Sequence, residues 1–127
     1  AVGGAMPGQV MLIEDEANIA EAIRFILSRD GWSVRVESDG VAGLAAIAQA
    51  RPDLLILDLM LPGMSGLEIL TQLRASPATR ALPVLMLTAK GQGRDREAAE
   101  LAGVSAFMTK PFDNAEIRAK VRDLLGG

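Results

Sequence analysis

The chain has no cysteine and no histidine among its 127 residues. Without cysteine there is no disulfide framework and no thiolate chemistry. Without histidine, the commonest general base and the commonest transition-metal ligand are missing together. Any catalysis or metal binding must then use carboxylates, hydroxyls and backbone carbonyls. Such oxygen donors suit magnesium or manganese better than zinc. No run of basic residues exists either, and the formal net charge is −3. A nucleic-acid interface on this segment would lack the cations that neutralise phosphates, so none is expected. No apolar run approaches the ~20 residues of a membrane span. No basic start followed by an apolar stretch marks a secretion signal. The expectation is a cytoplasmic location with no membrane association.

What remains is an ordinary globular composition, 50% hydrophobic and 23% charged, which can bury one core in one domain. Residues 1–8 are small and glycine-rich. They are expected to be a disordered leader or tag remnant, with Met6 a candidate native start and the folded domain spanning 9–127.

The centre of the chain is Asp53–Gly63. There, Leu54-Leu55-Ile56-Leu57 runs unbroken into Asp58, and Pro62-Gly63 follows. A short apolar run bounded by turn residues reads as a buried strand of a parallel sheet. Similar runs occur at Val10–Ile13, Pro83–Thr88 and Ser105–Lys110. Trp32–Val36 alternates, with Val34 and Val36 opposite Arg35, which suits an edge strand.

Between these runs the period becomes helical. Ile19, Ile23, Ile26 and Leu27 share one face in residues 17–29, and Phe25 lies off it. Val41, Leu44, Ile47 and Ala48 are spaced helically before Arg51-Pro52. Ser65 with Glu68 has the spacing of a capping box ahead of Leu67, Leu70 and Leu73. Residues 94–102 are weakly amphipathic, with Leu101 the bulky member among alanines, so this helix is expected to be loosely held. Asp113 with Glu116 starts the last helix, whose buried face is Ile117, Val121, Leu124 and Leu125. Strands alternating with helices predict βαβ units: an α/β fold with helices on both faces of a parallel sheet.

In a parallel sheet every strand's C-terminal end lies on one edge, where open α/β folds bind ligands. Those ends here carry Glu14-Asp15, Asp58, Thr88 and Lys110. Taken singly, each has an ordinary explanation: a turn aspartate, helix-start acids, a loop hydroxyl, a surface lysine. Together they are hard to assign to chance. Converging carboxylates repel, and a divalent oxygen-liking cation relieves that repulsion. A metal, a hydroxyl and an ammonium around a nucleophilic aspartate suit a phosphoryl group, with an aspartyl-phosphate as the covalent product.

With Met-Leu-Pro-Gly after Asp58, Ala89 after Thr88 and Pro111-Phe112 after Lys110, these motifs resemble the receiver domain of two-component response regulators of the chemotaxis-regulator type. The resemblance covers residues 9–125. It implies a flavodoxin-like doubly wound sheet of five strands in the order 2-1-3-4-5. It implies that Asp58 is the phosphoacceptor and that Mg2+ (or Mn2+) is held by Asp15, Asp58 and the backbone carbonyl of Met60, with Glu14 acting through water. Thr88, Ala89 and Lys110 are then the phosphate-binding residues, Phe107 is the aromatic switch and Lys110-Pro111 is a cis peptide. The implied partners are a histidine kinase or a histidine phosphotransfer protein. The surface of the fourth helix, fifth strand and fifth helix would change shape on phosphorylation, and a homodimer could form there.

Departures from the family pattern also carry expectations. Glu14 stands where an aspartate is common. Gly103–Phe107 lacks the two aspartates often found in DNA-binding regulators, which points away from that subgroup. Met60 and Lys90 flank the path of attacking water, and an apolar Met60 implies a long-lived phosphoryl group. Two other readings share part of the set. A haloacid dehalogenase-type phosphohydrolase would need a second aspartate where this chain has Met60. An interaction module that never takes phosphate would have little use for Asp58, Asp15, Thr88 and Lys110 together.

Overall fold

The computed structural model describes residues 8–89 and 93–126. Most of the expected leader, 1–7, lies outside the described residues, as do Lys90 and Gly127. The elements are β1 (Gln9–Ile13), α1 (Ala17–Arg29), β2 (Ser33–Glu37), α2 (Gly40–Gln49), β3 (Leu54–Asp58), α3 (Gly66–Ala75), β4 (Val84–Ala89), α4 (Gly93–Leu101), β5 (Ala106–Lys110) and α5 (Asn114–Leu124). The strands form one parallel sheet in the order β2-β1-β3-β4-β5. This is the doubly wound order expected, with β2 at an edge.

Alternation along the strands divides the core into two layers. Met11, Ile13, Leu55, Leu57, Val84 and Met86 face α2, α3 and α4, meeting Ile47, Ile69, Leu70, Leu73 and Ala99. Val10, Leu12, Leu54, Ile56, Leu85, Leu87 and Met108 face α1 and α5, meeting Ala20, Ile23, Leu27, Ile117 and Val121. Every residue of β3 is buried, which explains why its sequence is apolar without alternation.

Local signals set the helix starts. The Ser65 hydroxyl accepts from the Glu68 N–H at 3.2 Å, and the Glu68 carboxylate accepts from the Ser65 N–H at 3.1 Å, completing the capping box. Asp113 accepts from the Glu116 N–H at 2.7 Å. Asp39 caps α2 through the Ala42 N–H at 2.9 Å.

Three apolar residues do not lie where the helical or strand period put them. Val41 is 63% exposed, because α2 turns Gly40 and Gly43 toward the sheet instead. A Cβ on Gly43 would lie 2.3 Å from Ile13 Cδ1, so the missing side chain is what lets α2 approach β1. Leu101 is 91% exposed, and Ala99 is the buried residue of α4. Val36 is left 36% exposed on the edge strand, while Val34 packs on the core. Phe25, off the α1 stripe, also faces outward, with the Arg29 guanidinium 5.7 Å from its ring centroid.

Gly66 is the tightest backbone contact near the sheet's C-terminal edge. A Cβ there would stand 2.4 Å from the Asp58 carbonyl oxygen and 2.8 Å from Leu59 Cα, neither of which can swing aside. Gly66→Ala should therefore destabilise the domain by about 1–3 kcal/mol. Gly93→Ala, with nothing within 4 Å of the new Cβ, should change stability by less than about 1 kcal/mol. Urea unfolding of both variants checks this, and equal effects would contradict the packing described.

Candidate functional site

The sheet brings the predicted edge residues together. β1 ends at Ile13, so Glu14 and Asp15 emerge at its C-terminal end. Asp58 is the last residue of β3 and Lys110 the last of β5. Asp58 pairs in register with Leu87, so Thr88 lies one residue further along the neighbouring strand. Thr88 and Ala89 in turn pair with Thr109 and Lys110. Gly66 fixes the approach of α3 to the Asp58 backbone, which sequence reading did not single out. Its signal was only a glycine one residue after a capping serine.

Carboxylate oxygens of Glu14, Asp15 and Asp58 lie within 4.8 Å of one another. Glu14 and Asp58 are buried, at 1% and 4% exposure, and Asp15 is exposed. Among the described residues one ammonium serves this cluster. Lys110 Nζ lies 3.2 Å from Asp58 Oδ2, 3.1 Å from Glu14 Oε1 and 3.5 Å from Glu16 Oε1. The other oxygen of Asp58 and of Glu14 is held by the backbone. The Met60 N–H donates to Asp58 Oδ1 at 3.2 Å, and the Glu16 N–H to Glu14 Oε2 at 3.1 Å. Glu16 sits at the N-cap of α1, but its side chain caps no helical N–H. Its place beside Lys110 was not foreseen; read from sequence, it was a helix-start acid.

The charges disturb one another. Burial, then the hydrogen bond and repulsion from Asp58, push the Glu14 carboxyl from 4.5 up to about 7, against the pull of the Glu16 N–H and Lys110. Burial alone would lower the Lys110 ammonium, but Glu14 and Asp58 outweigh it and leave its pKa raised. Among the described residues the site is thus richer in anionic oxygen than in cations.

Two buried polar atoms lack a hydrogen-bond partner among the described residues: Glu14 Oε1 and Thr88 Oγ1. Glu14 Oε1 is close enough to Lys110 for ion pairing but lacks hydrogen-bonding geometry. An unmet acceptor among three carboxylates is a fit for an oxygen-liking cation. An unmet hydroxyl at 1% exposure is a fit for an anion arriving beside Asp58. Met60 is 62% exposed and Phe107 half-buried against the α2–α4 layer. The Lys110-Pro111 peptide is cis, as the resemblance implied. Lys90, the other residue expected to flank the attacking water, falls outside the described residues. A depression of about 400 Å³ between α1 and α5, lined by Phe25, Arg29, Asp30 and Arg118, contains none of these groups.

Comparison with known proteins bears on the same residues. The sequence family described as the response regulator receiver domain matches residues 10–122. TcrX of Mycobacterium tuberculosis, described as a probable transcriptional regulatory protein, is 41% identical over 119 residues, covering 94% of this chain and 50% of that protein. The DNA-binding dual master transcriptional regulator RpaA of Synechocystis is 39% identical, over 92% of this chain and 48% of its own length. The chain therefore spans about half the length of the curated relatives it matches. The two missing aspartates before Phe107 do not set it apart from such regulators in overall similarity. Among solved structures, a protein of Chloroflexus aurantiacus described as a response regulator superposes with a TM-score of 0.92 at 33% identity, over 96% of this chain and 100% of that one. The receiver domain of a Pseudomonas aeruginosa sensor histidine kinase, solved with magnesium coordinated in its active-site cleft, superposes at 0.88 with 27% identity, over 96% and 100%. The matched segment holds all of the sheet but its first residue, together with the acidic edge, and the chain belongs to the family of response regulator receiver domains.

Proposed function

We propose that Asp58 is the phosphoacceptor of a two-component relay, taking its phosphoryl group from a histidine kinase or histidine phosphotransfer protein. The observation that carries this is the unpartnered Thr88 hydroxyl, buried beside an aspartate that Lys110 already contacts at 3.2 Å. An Asp58 oxygen attacks phosphorus, the bond from phosphorus to the donor's histidine nitrogen breaks, and an acyl phosphate forms. Lys110 and Thr88 offset charge on the phosphoryl oxygens, one as an ammonium and one as a hydrogen-bond donor. The Met60 N–H keeps the Asp58 carboxylate oriented while this happens.

Asp15, Asp58, Glu14 and the Met60 carbonyl are the groups that would hold Mg2+ or Mn2+, Glu14 through water. When bound, the cation offsets the negative charge that three carboxylates and a phosphoryl group bring together. This chain's own residues build an acceptor and not a turnover catalyst, since the product stays attached to Asp58. The half-length match with transcriptional regulators supports a DNA-binding partner module in the whole protein. Membership of the receiver family supports a cytoplasmic site of action; no described helix is long and apolar enough to cross a membrane.

Exposure to acetyl phosphate or beryllofluoride with magnesium should modify wild type stoichiometrically, read by mass or by phosphorus and fluorine resonance. Asp58→Asn should take neither. Modification that survives in Asp58→Asn would refute the assignment.

Glu14 also sets a pH dependence. Its pKa is raised in the folded state, so between pH 4.5 and about 7 the folded chain binds more protons than the unfolded chain. The stability this confers is present at the acid end of that window and is lost as pH rises through about 7. In chelator, wild type should melt lower at about pH 8 than at about pH 5 by a margin that Glu14→Gln lacks. An identical pH profile for the two would refute the charge balance described.

Trp32 precedes β2 at the N-terminal edge of the sheet, a strand length of about 16 Å from the acidic edge. Its emission should report unfolding but change little with beryllofluoride. A large change would contradict that placement.

A further inference from the structure

α4 is attached unequally along its length. Its C-terminal end is fixed. Ala99 is fully buried, and Ala102 and Val104 pack on the same layer. The Val104 N–H donates to the Ala99 carbonyl at 3.1 Å and closes the turn. Arg74 of α3 donates from Nε to the Gly103 carbonyl at 2.9 Å and from Nη1 to the Thr79 carbonyl at 3.3 Å. The guanidinium thus ties the end of α4 to the α3–β4 loop.

The N-terminal half differs. Residues 93–97 are all exposed. The specific side-chain contact it makes with the sheet is the Arg96 guanidinium, 4.7 Å from the centroid of the Phe107 ring. Among the described residues, no ion pair involves Arg96. A cation over an aromatic face is a directional contact, and it is lost when the ring turns away. Phe107 is also three residues before Lys110 on β5, two strand positions from Thr109, the partner of Thr88. Whatever Thr88 does is therefore felt close to the ring.

We propose that Arg96 is a positioning residue for Phe107. It latches the ring in its present half-exposed position, and through the ring it holds the front half of α4 against the sheet. The Arg74–Gly103 contact is the hinge. When Phe107 turns inward, Arg96 loses its ring, and residues 93–98 are released while 99–104 stay docked. The latch rests on the reading of Asp58 as phosphoacceptor, because phosphorylation is what would turn the ring. It goes beyond that reading in naming the residue that opposes the switch.

A contact present in the resting state and lost in the switched state biases the equilibrium toward rest. Removing it should tighten any ligand that favours the switched state. An exposed cation–π contact corresponds to roughly two- to five-fold in such an equilibrium. The test measures the dissociation constant of magnesium beryllofluoride for wild type, Arg96→Ala, Phe107→Leu and the double variant, and amide exchange in the unmodified proteins. The expected result is about two- to five-fold tighter binding by Arg96→Ala, absent when the change is made in the Phe107→Leu background. Exchange should quicken at residues 94–98 and not at 99–104. Arg96→Lys should recover part of the wild-type behaviour, since an ammonium also attracts the ring face. Equal binding by wild type and Arg96→Ala, or an effect that persists without the ring, would overturn the latch alone. If wild type takes no beryllofluoride, the phosphoacceptor reading falls and the latch falls with it.

Discussion

Among the described residues Lys110 is the ammonium that meets the crowded carboxylates, and much of the site's electrostatics follows from that pairing. It contacts Glu14, Asp58 and Glu16 at once, within 3.5 Å of each. Two of those acids are buried, where charge is costly unless paired. Burial and the neighbouring Asp58 outweigh the pull of Lys110, and Glu14 holds its proton to near neutral pH. That imbalance is what the proposed function would use: carboxylates suited to a cation, and a lysine with a Thr88 hydroxyl unmet among the described residues suited to a phosphoryl group. A fully satisfied site would bind neither well.

The rest of the fold keeps that imbalance in place. β3 is buried on both faces, so the Asp58 backbone has no freedom to retreat from its neighbours. α3 is capped at Ser65 and pressed by Gly66 against the Asp58 carbonyl, which fixes the loop that carries Met60. The close approach of α2 over Ile13 at Gly43 similarly braces the strand from which Glu14 emerges. The acceptor end of the molecule is rigid. Compliance is concentrated in α4, where burial is confined to Ala99 and the segment around it.

Much of this was legible in the sequence because buried parallel strands leave a plain trace. Leu54–Leu57 is apolar without alternation, and the polar residue ending each such run marks the functional edge. The capping pairs Ser65–Glu68 and Asp113–Glu116 were readable because they are local in sequence. The strand order came from family resemblance, since nothing in the runs themselves says which neighbours pair. Val41 shares the helical spacing of Leu44 and Ile47, which suggests an inward face, but glycine occupies that face where helix and sheet approach closely; in α4 the buried residue is Ala99 and the bulky Leu101 points out. The contacts of Glu16 with Lys110, Arg74 with Gly103 and Arg96 with Phe107 join segments distant in sequence, and no periodicity records them.

The sparse burial of α4 has a consequence for divergence among relatives. Selection for folding acts on positions whose side chains are packed, and along this helix that pressure falls chiefly on Ala99. Its outer positions, including the fully outward Leu101, can be rewritten with little cost to the core. A lineage can therefore change the chemistry of this face without rebuilding the acidic edge. Duplicated copies of such a domain could diverge along this helix while keeping one acidic edge, because so few of its side chains are packed.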